Sequence, residues 1–260
     1  MRCRGGFSLF LFIIIVSGLM LSHASAQVPL LLDKTIVDLT HSLRPGIPYF
    51  PGTIPFATHP LVNEKDGYRL NVFSASEHHG THIDAPLHFF AKKNGVDKIP
   101  LDLLLRQAVK IDVSKKVSQN PDYQLQVKDI KAWEKEHGPI PKDSYVLLET
   151  GWSKHWSNPQ AYLNKDKDDV LHFPGFSCEA AQFLIEGRHA QGLGIDTLSV
   201  DAGSQTDFCA HKVALKWDKL LVENLAHLDK VPAKNSYILV APLKLKEGSG
   251  APARVWVWLP

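Results

Sequence analysis

Short runs rich in aliphatic and β-branched residues recur along the chain, at 35–40, 69–76, 108–113, 145–150, 193–200, 220–223, 236–242 and 254–259. Each is bounded by polar, Gly or Pro residues, the pattern of strands. Two of them, Tyr-Val-Leu-Leu at 145–148 and Tyr-Ile-Leu-Val at 237–240, are continuously apolar and predict strands covered on both faces. Helical periodicity is scarcer. Val127, Ile130 and Trp133 fall at helical spacing and predict a helix over 127–137 that stops before Gly138-Pro139. Ala180, Ala181, Leu184 and Ile185 predict a second over 177–188, with Ser177 as N-cap. A short third is expected at 101–105. Many strands and few helices, without a regular strand–helix alternation, predict an α/β domain with more than one sheet. No internal repeat or low-complexity linker divides residues 27–260, which read as one domain.

The first 26 residues stand apart. Arg2 and Arg4 precede an almost wholly apolar run at 7–22, followed by Ala24-Ser25-Ala26. A basic start, an apolar stretch too short for a comfortable membrane span and a small-x-small exit predict a secretory signal peptide cleaved after Ala26. An uncleaved signal anchor is the alternative. The formal charge of +2 disappears with those two arginines, because Lys+Arg total 29 against 27 Asp+Glu. A chain balanced in this way gives no electrostatic footprint for nucleic acid. Hydrophobic residues at 44% and charged residues at 22% are those of an ordinary globular domain. Of three cysteines, Cys3 leaves with the signal. Cys178 and Cys209 could form one bridge or remain two buried thiols, and secretion permits either.

The chemistry concentrates in Glu77-His78-His79-Gly80-Thr81-His82-Ile83-Asp84-Ala85-Pro86-Leu87-His88. If this segment is extended, His78, Gly80, His82 and Asp84 share a face, and Gly80 leaves room for an ion or ligand. Two imidazoles and a carboxylate without cysteine form a nitrogen/oxygen donor set suited to zinc or manganese. Pro86 turns the chain before His88, which is then free to stand beside the ion as a general acid–base. His79 has the opposite parity and reads as structural. His211 and Glu223 can join the same site only if His211 starts a short helix and the chain returns along the apolar run at 220–223. No Gly-x-Ser-x-Gly nucleophile elbow is present, and Ser249 between two glycines reads as a turn.

The eleven residues His78–His88 resemble the signature of the putative cyclase family, which includes bacterial kynurenine formamidase and isatin hydrolase. The likeness extends through Pro51-Gly52, the stretch from Gly194 to Asp201, Ala210-His211, Glu223-Asn224-Leu225 and the stretch from Gly248 to Arg254. It implies a swivelling β/β/α fold, mixed sheets and a homodimer. It implies a first ion on His78, His82 and Asp84, and a second on Asp84, His211 and Glu223, with His88 as acid–base. The activity it implies is arylformamidase-like, the metal-dependent hydrolysis of N-formylkynurenine to kynurenine and formate in tryptophan catabolism. Formamidases commonly carry Trp-Pro-Gly-Asp where this chain has Phe50-Pro51-Gly52-Thr53, so Phe50 becomes the expected aromatic contact for substrate. Trp152, after the apolar run at 145–148, is a second candidate for the pocket wall. Two other readings remain open: a hydrolase of a cyclic amide such as isatin, and a secreted binding protein that keeps the fold without turnover.

Overall fold

The computed structural model describes residues 35–260, so the signal-peptide expectation lies outside the described residues. Among the described residues, twelve strands occur in chain order: β1 (Ile36–Asp38), β2 (Ala57–Val62), β3 (Leu70–Ser74), β4 (His82–Asp84), β5 (Leu105–Asp112), β6 (Gln124–Leu125), β7 (Tyr145–Glu149), β8 (Gly175–Phe176), β9 (Gly192–Ile195), β10 (Leu220–Glu223), β11 (Ser236–Pro242) and β12 (Gly250–Trp258). The α-helices are α1 (Leu101–Leu104), α2 (Ser114–Val117), α3 (Val127–His137), α4 (Pro159–Leu163), α5 (Cys178–Gln182) and α6 (Cys209–Lys216).

Eight strands form one mixed sheet in the order β1-β12-β11-β5-β7-β9-β10-β4. Because β4 also pairs with β12, the sheet closes on itself like a barrel. The neighbours β5, β7, β9 and β10 run parallel, and the remaining pairings are antiparallel. The expected plurality of sheets survives only as two-stranded ladders, β2 with β3 and β6 with β8. β4, β7, β9 and β10 are buried on both faces, as the apolar run at 145–148 predicts. The run at 237–240 is not: along β11 buried Ile238 and Val240 alternate with exposed Tyr237 and half-buried Leu239, because among the described residues no element covers its outer face there as α3, α5 and α6 cover β7. Along β7, Tyr145 and Leu147 enter the barrel interior beside Val222, Ile238 and Val255. Val146 and Leu148 enter the outer core against residues of α3, α5 and α6.

Several predicted boundaries move for local reasons. The run at 193–200 keeps only Gly192–Ile195 as strand, because the Asp196 carboxylate and the Thr197 carbonyl accept backbone N–H groups from Thr150 and Asn224 instead of continuing a ladder. The second predicted helix is capped by the Ser177 side chain and passes into a π turn at Phe183–Gly187. The hairpin strand β2 contains Pro60, the type of residue that disguises a strand as a loop. Cys178 and Cys209 form a disulfide between the first residues of α5 and α6, with Cα atoms 5.4 Å apart, within the usual span.

Candidate active site

The site lies where β4 and β10 run side by side. His82 sits directly opposite Glu223 in the antiparallel register, and Asp84 opposite Leu221 on one side and Gly250 on the other. Ile83 and Ala85 point into the barrel core, which puts His82 and Asp84 together on the other face. His211 comes from the first turn of α6, and the chain returns to the sheet as β10. The expected convergence of His211 and Glu223 therefore occurs.

His78 arrives by a different route from the one parity suggests. The strand begins only at His82, and Gly80 has a φ of 64°. That left-handed turn swings His78 back over Asp84. Gly80 does not open space for an ion. A Cβ there would lie 2.4 Å from Leu43 Cδ2, so glycine serves the turn and a close packing contact. His79 is fully buried beside Tyr49 and Phe56 and has no part in the site.

The donor atoms converge tightly. His82 Nε2 lies 3.3 Å from Asp84 Oδ1 and 3.3 Å from Glu223 Oε2. His211 Nε2 lies 3.2 Å from Asp84 Oδ2 and 3.3 Å from Glu223 Oε1. Each carboxylate thus spans two histidines. His78 Nδ1 lies 2.6 Å from Asp84 Oδ1. His82 Nε2 and Asp84 Oδ2 are buried yet have no hydrogen-bond partner. Ligand atoms at about 2.0–2.1 Å from a tetrahedral ion stand about 3.3 Å apart, the separation seen here. The residues therefore fit a divalent cation.

Electrostatics agree with that reading. Burial pushes the His82 pKa down, but the Asp84 and Glu223 carboxylates outweigh it and raise it to about 10. His211 is likewise raised against burial, chiefly by Glu223, Asp201 and Asp84. Burial pushes Asp84 up, and the surrounding histidines, His78 foremost, hold it well below its ordinary value. In Glu223, burial and Asp84 raise the pKa, and His211 with His82 lower it further. Buried histidines that attract this much carboxylate are cation sites in waiting.

Outer partners fix the rings. His82 Nδ1 donates to the Gly80 carbonyl at 2.9 Å, and Asn224 Nδ2 donates to the same oxygen. Tyr162 donates to Asn224 Oδ1, which ties the site to the outer core. His211 Nδ1 donates to Asp201 at 2.6 Å. Asp201 was not singled out from the sequence as a functional residue, although it lies in one of the family-like stretches; a carboxylate accepting from a ligand histidine is the signal that would have found it.

His88 ends the one-turn 3₁₀ segment Pro86–His88 and stacks on His78 with ring centroids 3.9 Å apart. Loss of hydration pushes its pKa down to about 4; Asp84 opposes the shift, while His78 and His211 add to it. Its ring is neutral at pH 7 and able to take a proton. One ring nitrogen also comes within 4.8 Å of donor atoms of Asp84 and His211. His88 thus stands closer to the ligand set than the turn at Pro86 suggested.

A cavity of about 220 Å³ opens over these groups, walled by Phe50, Phe89, Leu198 and Phe208. Phe50 is therefore where the sequence placed it. Trp152 is not. Gly151, at φ 72°, turns it inward, and its indole N–H donates to the Tyr162 carbonyl within the core. Phe208 takes a place among the aromatic walls that Trp152 was expected to fill. It precedes α6 in a left-handed conformation, uncommon for a bulky residue.

The family model described as putative cyclase matches residues 37–202. Isatin hydrolase of Roseibium aggregatum is 32% identical over 246 residues, covering 88% of this chain and 93% of that protein. The chain belongs to the putative cyclase family. With its donor set it is a metal-dependent hydrolase acting on amide C–N bonds. The solved structure of isatin hydrolase A from Labrenzia aggregata bound to benzyl benzoate superposes with a TM-score of 0.82 at 37% identity, covering 86% of this chain and 93% of that one. Kynurenine formamidase of Erythrobacter litoralis is more distant, 26% identical over 85% of this chain and 93% of its own length. The comparisons thus favour the cyclic-amide alternative over the formamidase first expected.

Proposed function

We propose that this protein opens the ring of a small aromatic cyclic amide of the isatin type, adding water across the lactam C–N bond to give an aryl amine and a carboxylate. The observation that carries the reading is the junction of three phenylalanine walls with the histidine–carboxylate cluster and His88 in one small cavity. Flat apolar walls suit a planar ring. The greater likeness to isatin hydrolases and the Phe50-Pro51-Gly52-Thr53 loop both support a cyclic substrate over a formyl amide.

His78, His82, Asp84, His211 and Glu223 would hold the divalent ion, zinc or manganese, as one ion or as two sharing Asp84. When bound, the ion supplies Lewis acidity, which acidifies water and polarises the carbonyl. His88, neutral at pH 7, takes the proton from the attacking water and returns it to the departing ring nitrogen. Phe50, Phe89 and Phe208 press on the substrate faces and exclude bulk water. Asp201, Gly80 and Asn224 keep the His211 and His82 rings from turning. Secretion rests on the N-terminal signal pattern. Assembly as a homodimer is supported by the β2–β3 hairpin, which exposes Leu61, Leu70, Val72 and Phe73.

The test is product analysis. Incubating the metal-loaded protein with isatin should yield the ring-opened amino-carboxylate, whereas N-formylkynurenine should release little formate. Efficient formate release with no ring opening would return the assignment to an arylformamidase.

A further inference from the structure

His78 differs from the other two histidines of the cluster. His82 and His211 turn Nδ1 outward and Nε2 inward. His78 is reversed, with Nδ1 facing Asp84 and Nε2 facing Ser249 Oγ at 2.8 Å. Ser249 Oγ lies 2.5 Å from Glu77 Oε2, and the Ser249 backbone N–H donates to the same oxygen at 2.9 Å. A carboxylate can only accept, so the single Ser249 hydroxyl proton goes to Glu77. Ser249 Oγ must then accept from His78, which fixes a proton on Nε2 and leaves Nδ1 as the nitrogen able to bind an ion. Gly250 completes the seat. A Cβ there would lie 2.5 Å from His78 Cε1 and 2.9 Å from Nδ1.

We propose that Glu77 and Ser249 are positioning residues for His78: the Glu77–Ser249 relay selects the Nε2–H form of a ligand whose orientation is opposite to that of its two neighbours. Neither residue reaches the reacting atoms. Their effect passes through the ring, which they hold over Asp84 and polarise towards the ion. Outer partners of this kind commonly change metal affinity about 10–100-fold. The reading of the Gly-Ser-Gly segment as a simple turn omits this contact, because Glu77 and Ser249 lie 172 residues apart in the chain.

The proposal rests on the metal-site reading, and the experiment separates the two. Zn²⁺ affinity is measured on the full chain by competition with a chromophoric chelator, alongside the thermal midpoint of the ion-free protein. Ser249→Ala should weaken Zn²⁺ binding about 10–100-fold without a matching fall in the ion-free midpoint. Ser249→Thr, which keeps the hydroxyl, should recover most of the loss. Glu77→Gln should show a smaller loss, since an amide oxygen still accepts from Ser249 but carries no charge. Zn²⁺ binding by Ser249→Ala as tight as in the unsubstituted chain would overturn the proposal. So would equal weakening in Ser249→Ala and Ser249→Thr, which would assign the effect to the loop backbone. An unchanged Glu77→Gln would remove Glu77 from the relay. An unsubstituted chain that binds neither Zn²⁺ nor Mn²⁺ would overturn the metal reading itself.

Discussion

Loading the site with metal should release protons, and the cluster sets how many. In the ion-free protein His82 is held near pKa 10 and His211 well above its ordinary value, so both imidazoles are charged at pH 7. An ion accepts only the neutral nitrogen. Binding must therefore expel at least two protons per loaded chain, one from each Nε2. Metal affinity should climb with pH above neutrality, by about one log unit per pH unit for each imidazole that is still charged. Stability moves the opposite way in the ion-free protein. A raised histidine pKa contributes stability that is complete below pH 6.5 and is lost as pH rises through about 10. The lowered values of Asp84 and Glu223 contribute stability above the ordinary carboxylate range, lost as pH falls through their folded values. The gap in thermal midpoint between loaded and ion-free protein should thus widen from pH 6.5 to 8.5. Calorimetric titration with Zn²⁺ at pH 7, in buffers of different ionisation enthalpy, counts the protons directly. Zero protons released, with an affinity flat across this pH range, would refute the charged state of His82 and His211 in the ion-free protein.

Three substitutions test other parts of the site. Gly250→Ala puts a Cβ 2.5 Å from the His78 ring and 2.7 Å from the Ile83 carbonyl; Zn²⁺ affinity should fall about tenfold or more, whereas Gly187→Ala, whose nearest contact is 3.9 Å, should leave it unchanged. Glu223→Gln removes a carboxylate that spans His82 and His211, so the metal content measured by mass spectrometry should fall, and an unchanged content would exclude Glu223 as a donor. His88→Ala should keep its metal and lose turnover by about 10²–10⁴; loss of the metal instead would make His88 a ligand.

Much of the site was legible because its donors sit on simple periods. His82 and Asp84 are two apart on a real strand, Glu223 ends an apolar run, and His211 follows a helix start. Strand parity places His78 among the donors, but parity is not what brings it there. The left-handed turn at Gly80, not strand parity, brings it to Asp84. Trp152 was misplaced because an aromatic residue after a strand looks the same whether it turns into the core or into a cavity; Gly151 decides it. Asp201, Glu77 and Ser249 were opaque for a further reason. Glu77 meets Ser249 only across the β4–β12 closure, 172 residues away in the chain, and Asp201 reaches His211 through an irregular loop ahead of α6 that follows no regular period. The strands with uniform apolar character, β7, β10 and β11, were readable within a residue, while β2 was hidden by Pro60.

The decisive measurement is kcat/KM for isatin and for an N-formyl aryl amide, on protein stripped by chelation and on the same protein reloaded with Zn²⁺ or Mn²⁺. The structure and its relatives predict isatin hydrolysis in the reloaded protein, none in the stripped protein, and a higher kcat/KM for isatin than for the formyl amide. Hydrolysis that survives chelation would contradict the metal-dependent mechanism, and a higher kcat/KM for the formyl amide would contradict the cyclic-amide assignment.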